Sequence, residues 1–190
     1  MVNNFELIKN FVEFKNGNDF FFLQILKRRK ENPDMKTDVI NIDNFFIKSK
    51  EDFDKYEQRI IELCELNRAR AYIRLNRRNY EYVAHETNCL IAEHLKNKDF
   101  RAVSKAYLSA CGKSHSEKPK KWILDIDADD LQYMEAVKEM LVELKSTLFL
   151  EVPTKNGIHF ITSGFNPNIF KLNFPTIEIK EDQPTILYSI

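Results

Sequence analysis

The sequence predicts an α+β fold, a mixed or antiparallel sheet with flanking helices, and three observations predict it. Short runs rich in Phe, Ile, Val and Thr recur along the chain between turn residues, as strands do. Between them lie longer stretches whose apolar residues return every three or four positions, as on a helix face. The two kinds intermingle in the order ββαβααβαββ(α)ββ, with no strict βαβ alternation, which reads as one sheet with helices against it. At 190 residues the chain is long enough for one domain with a real core, and a single domain over 1–190 is expected.

Asn4 to Phe14 is short and mixed and reads as a helical turn or two on the outside. Asp19 to Leu26 (DFFFLQIL) is too aromatic for an exposed loop and reads as a strand. The chain then passes through Lys27-Arg28-Arg29-Lys30 and a turn at Asn32-Pro33-Asp34 into a second strand, Val39 to Ile47. Ser49 and Asp52 open a helix that Phe53, Tyr56, Ile60 and Cys64 carry to about Leu66. Arg70 to Leu75 alternates, setting Arg70, Tyr72 and Arg74 on one face and Ala71, Ile73 and Leu75 on the other. Tyr80, Val83, Ala84, Thr87, Ile91 and Leu95 form the stripe of a second helix; Phe100, Val103, Tyr107 and Cys111 mark a shorter one. Gly112 to Lys120 is polar and turn-like. The apolar run before Asp125 and Asp127 is a strand, and Leu131 to Leu144 an amphipathic helix with Asp129 or Asp130 at its start. Strands follow at Thr147–Val152, Ile158–Thr162, Thr176–Ile179 and Thr185–Ser189, with an irregular or briefly helical stretch from Gly164 to Leu172.

Lys+Arg and Asp+Glu are both 29, so the chain is no global polycation, and nucleic-acid binding would need a local basic surface. Cys64, Cys89 and Cys111 show neither zinc spacing nor a disulfide framework. There is no signal-peptide pattern at Met1–Glu6 and no run long enough to span a membrane. A cytoplasmic protein is expected.

The chemistry centres on Lys121-Trp122-Ile123-Leu124-Asp125-Ile126-Asp127. Strand side chains alternate, so Asp125 and Asp127 share a face at the strand's end. Two adjacent carboxylates repel, and magnesium or manganese is the usual remedy for hard oxygen ligands. A calcium loop starting at Asp125 would need glycine sixth and glutamate twelfth, where the chain has Asp130 and Ala136. A phosphatase of the haloacid-dehalogenase kind also places Asp-x-Asp after a strand, but usually has threonine or valine where Asp129 stands. Asp129 and Asp130 read as acids at a helix start. Beyond the aspartates, Thr154-Lys155-Asn156-Gly157-Ile158-His159 is a tight turn into a strand. Its glycine allows close approach of a ligand, and Lys155 and His159 suit a phosphate. Glu178, between two isoleucines, is a further acid on a strand. Arg70, Arg74, Arg77, Arg78 and Lys27 to Lys30 form the basic set, the last of these read as a solvated strand end.

Taken in order, these motifs resemble the archaeo-eukaryotic primase superfamily, the primase-polymerases. Leu124-Asp125-Ile126-Asp127 is similar to its apolar strand ending in Asp-x-Asp/Glu, Gly157-Ile158-His159 to its small-x-His motif, and Ile177-Glu178-Ile179 to its late acidic strand. The third motif more often carries aspartate, and Glu181 and Asp182 are rivals for that position. The resemblance covers mainly Ala71 to Tyr188. It implies an RRM-like palm in a compact form of the phage or mobile-element type, with two Mg²⁺ or Mn²⁺ ions on Asp125, Asp127 and Glu178. It further implies a nucleoside triphosphate held by His159, Lys155, Asn156 and Gly157, and a single-stranded template met by Arg70, Arg74 and Tyr72, Tyr72 stacking on a base. No zinc cluster or helicase is present, so replication proteins are implied as partners. A degenerate relative that only binds nucleotide or single strands, and a metal-dependent phosphatase, are the competing expectations.

Overall fold

In the computed structural model, which describes residues 1–190, the strands form two sheets, one more than the sequence suggests, and every strand pairing is antiparallel. The first sheet is built around β2 (Asp19–Arg28), which pairs with β3 (Val39–Ile47), β4 (Arg70–Arg74) and the short β5 (Arg78–Asn79). The last strand, β10 (Pro184–Ser189), returns to the far edge of β4, and β1 (Val2–Asn3) pairs with it. β2 opens on four consecutive apolar residues, Phe20–Leu23, because both of its faces are covered. Phe21, Leu23 and Ile25 enter the core that includes Phe5 and Ile8 of α1 (Phe5–Phe11) and Phe53, Ile60 and Cys64 of α2 (Lys50–Asn67). Phe20 and Phe22 pack instead with Val83 and Leu90 of α3 (Tyr80–Lys96) and with Ala106, Ala110 and Cys111 of α4 (Ala106–Lys113).

The second sheet comes from the segment β6 (Lys121–Asp127), α5 (Met134–Glu143), β7 (Leu148–Pro153), β8 (Gly157–Ser163), α6 (Pro167–Asn173) and β9 (Glu178–Glu181). This β-α-β-β-α-β order gives a four-stranded sheet, β7-β8-β6-β9, with the first and third strands in its centre. Leu124, Ile126 and Phe160 form one face and pack with Val137 and Leu141 of α5 and Phe170 of α6. By alternation Ile123, Val152 and Ile161 lie on the other face, and all three belong to the core of the first sheet. That shared core joins the two sheets. The helix-free face of the second sheet is therefore apolar at one end and free to be polar at the other.

Several elements differ from the sequence reading. The late strand starts two residues on, at Glu178, because pairing with β6 is set by Asp125 opposite Glu178. Gly112 lies inside α4, and Leu95 of the presumed helix stripe is half exposed. Residues Ala128–Tyr133 form a 3₁₀ turn before α5, with no side-chain cap; Asp130 instead accepts a hydrogen bond from Thr176 Oγ1 at 2.9 Å. Asn166 caps α6 by accepting from the backbone N–H groups of Asn168 and Ile169.

Arg77 and Arg78, expected among the basic surface residues, are buried. Arg77 pairs with Asp19 at 3.1 Å and Glu117 at 3.7 Å. The fully buried Arg78 donates to both oxygens of Asp182, at 2.9 and 2.8 Å, and to the carbonyls of Cys111 and Gly112. Asn76 donates to the same carboxylate at 3.0 Å. Asp182 sits in the turn between β9 and β10 with φ +50°, a backbone state aspartate tolerates better than most residues. This cluster fixes that turn against the β4–β5 segment. We expect Asp182→Ala, which leaves Arg78 charged and unpaired, to lower stability by roughly 3–5 kcal/mol, measured by urea unfolding. A loss under about 1 kcal/mol would mean that the cluster does not anchor the turn.

Candidate functional site

Strand register brings the three separate sequence motifs into one row. Asp125 of β6 lies directly opposite His159 of β8 on one side and Glu178 of β9 on the other. Directly paired residues share a face, so the three side chains stand together on the helix-free face, with Asp127 two residues beyond. The contacts run along the row. Thr185 Oγ1 on β10 is 2.8 Å from His159 Nδ1, and His159 Nε2 is 3.2 Å from Asp125 Oδ1. The Lys180 ammonium donates to Asp125 Oδ2 and reaches Glu178 Oε2 at 3.0 Å. Asp127, at the strand end, is exposed.

The row forms the floor of a crevice of about 730 Å³ between the two sheets, within the size range of small-molecule sites and walled mainly by polar side chains. Arg28, Lys30 and Glu31 from the end of β2, with Arg70 and Tyr72 from β4, line the opposite wall. Arg70 is held by Glu31 at 2.6 Å, and the Tyr72 hydroxyl accepts from Arg28 at 3.1 Å. The Thr154-Lys155-Asn156 turn forms a lip, closed by a hydrogen bond from the Thr154 N–H to the Gly157 carbonyl at 2.9 Å.

Of the residues singled out in the sequence, Asp125, Asp127, Glu178, His159, Lys155, Asn156, Arg70 and Tyr72 all line this crevice. Arg74 does not. Its guanidinium turns to the Asp182 carbonyl and the buried cluster, and burial pulls its pKa down. Gly157 has a different use from the one expected: a Cβ there would run into the Ile126 carbonyl and the Asp127 Cα, so the glycine lets β8 lie close to β6 instead of admitting a ligand. Asp182 is spent on Arg78, and Glu181, although it borders the crevice, alternates to the other face of β9 and pairs with Lys120 at 2.9 Å. Glu178 is thus the late acid in the row. His159 has both ring nitrogens within reach of protein partners, so its imidazole is oriented by the row and not left free for a phosphate.

Lys180 and Thr185 were missed as site residues, while Arg28 and Lys30, read as part of a solvated strand end, border the crevice. Alternation would have found Lys180, two positions after Glu178. The other three enter only through the packing of the first sheet against the second.

Asp125, Asp127 and Glu178 are hard oxygen donors of the right kind for a divalent cation. They are not gathered as a ready-made cluster, however: nowhere are three His, Cys, Asp or Glu side chains grouped to hold an ion. Lys180 occupies the place between Asp125 and Glu178, while Asp127 and Glu178 are exposed enough to move. The donor set fits a metal in chemistry, with a lysine ammonium in competition for it.

Burial opposes ionisation of Asp125, but hydrogen bonds from His159 and Lys180, and their charges, outweigh it and hold the carboxyl well below the usual carboxylate range. Burial also opposes the charge on Lys180, and hydrogen bonds to Asp125 and Glu178 overcome that, raising its pKa. A depressed carboxyl stabilises the fold above its unfolded value near 3.8 and loses that contribution as pH falls toward the folded value. A raised lysine contributes below 10.5 and loses it as pH climbs through the folded value. Asp125→Asn is expected to lower stability by roughly 1–3 kcal/mol at neutral pH, a loss that shrinks below about pH 4 as the wild-type carboxyl takes up its proton. Urea unfolding of both proteins at neutral and acid pH measures it.

No family model, curated protein or solved structure matches the chain.

Proposed function

We propose that the chain is a small primase-polymerase-like nucleotidyltransferase that joins a nucleoside triphosphate to a strand on a single-stranded nucleic-acid template. The observation that carries the reading is the row His159–Asp125–Glu178 on three adjacent strands, with Asp127 beside it. Three motifs dispersed over more than fifty positions would not align on one face by spacing alone. The β-α-β-β-α-β sheet with both helices on one face supports the RRM-like palm, since it leaves the other face to the acids.

In this reading Asp125, Asp127 and Glu178 would hold divalent cations, which supply Lewis-acid charge to a phosphoryl displacement. The chain's own residues do the rest. Asp125 stays ionised because His159 and Lys180 favour its charged form, and Thr185 fixes the imidazole beside it. Arg28, Lys30 and Lys155 border the crevice as cations suited to phosphate oxygens. The half-buried Tyr72 offers a ring face for stacking a base, and Arg28 holds its hydroxyl. Placement and electrostatics of this kind are what phosphoryl transfer asks of a protein.

The Lys180 contacts favour a second reading, a metal-independent module that binds nucleotide or single strands without chemistry. Metal dependence separates the two. Template-directed incorporation of labelled nucleotide with Mg²⁺ or Mn²⁺, together with calorimetry of triphosphate binding with and without a chelator, is the test. Asp127→Ala is expected to cut incorporation by about a hundredfold or more while changing stability by less than about 0.5 kcal/mol, because Asp127 is exposed. Triphosphate binding that ignores the chelator, without incorporation, would give the protein to the second reading.

A further inference from the structure

We infer that Lys180 is a built-in counter-cation of the carboxylate row, one that a divalent ion must displace to enter. The inference rests on the metal reading of Asp125, Asp127 and Glu178 given above. Its starting point is a conflict of charge. Asp125 and Glu178 are directly opposite on antiparallel strands, where like charges destabilise the pair. Lys180, two residues after Glu178 and on the same face, places its ammonium against Asp125 Oδ2 and 3.0 Å from Glu178 Oε2. The other Asp125 oxygen is 3.2 Å from His159 Nε2. Both oxygens of the least exposed acid of the row are therefore engaged, and the position shared with Glu178 is already held by a positive charge.

A cation approaching Asp125 and Glu178 meets that ammonium first. Lys180 is on a flexible four-carbon stem and lines the crevice itself, so it has room to swing away from the carboxylates. The displaced ammonium remains beside the crevice, where it adds to the positive charge facing a bound anion. Divalent-ion affinity is then set by the exchange of one cation for another, and stays weaker than three carboxylates alone would give.

The test is direct Mn²⁺ binding, followed by the loss of the free-ion electron paramagnetic resonance signal, on wild type, Lys180→Met and Lys180→Arg. The expected result is at least a tenfold tighter Mn²⁺ affinity in Lys180→Met, and wild-type-like affinity in Lys180→Arg, which keeps the charge. A second readout needs no variant. Acetylation of Lys180 by an amine-reactive ester, mapped by mass spectrometry on the wild type, should increase several-fold when Mn²⁺ is added. Mn²⁺ binding that depends on Asp125 and Asp127 yet is no tighter in Lys180→Met, with Lys180 labelling unchanged, would overturn the inference and leave the polymerase reading standing. Absence of Mn²⁺ binding in all three proteins would overturn both.

Discussion

Asp125 and Glu178 face each other across β6 and β9, two carboxylates where strand pairing forces contact, and much of the structure can be read as the means of tolerating that pair. Lys180 neutralises it from within the same strand, and His159 takes the remaining oxygen of Asp125. His159 in turn depends on Thr185, a fully buried residue of the first sheet. Thr185 is held by the pairing of β10 with β4, and the β9–β10 turn before it is pinned by Asp182 on the buried Arg78. The row thus connects to an interior ion cluster, and that cluster to the strand that joins the sheets. A charge conflict at one register position is resolved by elements more than a hundred residues apart.

The crevice needs both sheets. The second supplies the acids, on the face its own helices leave free; the first supplies Arg28, Lys30, Arg70 and Tyr72 on the wall opposite. Zero net charge for the whole chain therefore hides a local clustering of both signs around the crevice, acids paired with Lys180 on one side and arginines with Glu31 on the other. Part of the basic composition does no such work. Arg74, Arg77 and Arg78 are drawn inward, the last two into ion pairs with Asp19, Glu117 and Asp182, where their charge serves the fold.

Period-two alternation made Asp125, Asp127 and the faces of β4 readable from the sequence, because alternation is a local property of a strand. The same local logic located α2, α3, α5 and most strands. It could not separate one sheet from two, since that depends on which strand edges meet. Arg70 and Arg74 show the limit well: they share a face of β4, yet one lines the crevice and the other bonds to the Asp182 carbonyl. Nothing in the sequence distinguishes them, because the difference lies in what packs against each end of the strand. Glu178 was legible as an acid on a strand, but its choice over Asp182 was not, for Asp182 is claimed by an arginine over a hundred residues earlier. Gly157 was read as an opening for a ligand and is in fact the point where β8 crowds β6.

A row of acids has a folding problem, since like charges held side by side on paired strands repel. Metal-gated small domains meet it by unfolding without the ion. Here the second sheet has its own apolar layer, Leu124, Ile126 and Phe160 against α5 and α6, and the acids are balanced by an ammonium and an imidazole of the same chain. The charge of the row is thereby balanced from within the chain. The consequence is a competition: a charge that steadies the row must also be overcome by any cation that enters it. If the row takes a cation as proposed, it would suit one that brings its own anionic partner, because a lysine released from Asp125 and Glu178 would then have a new negative charge beside it.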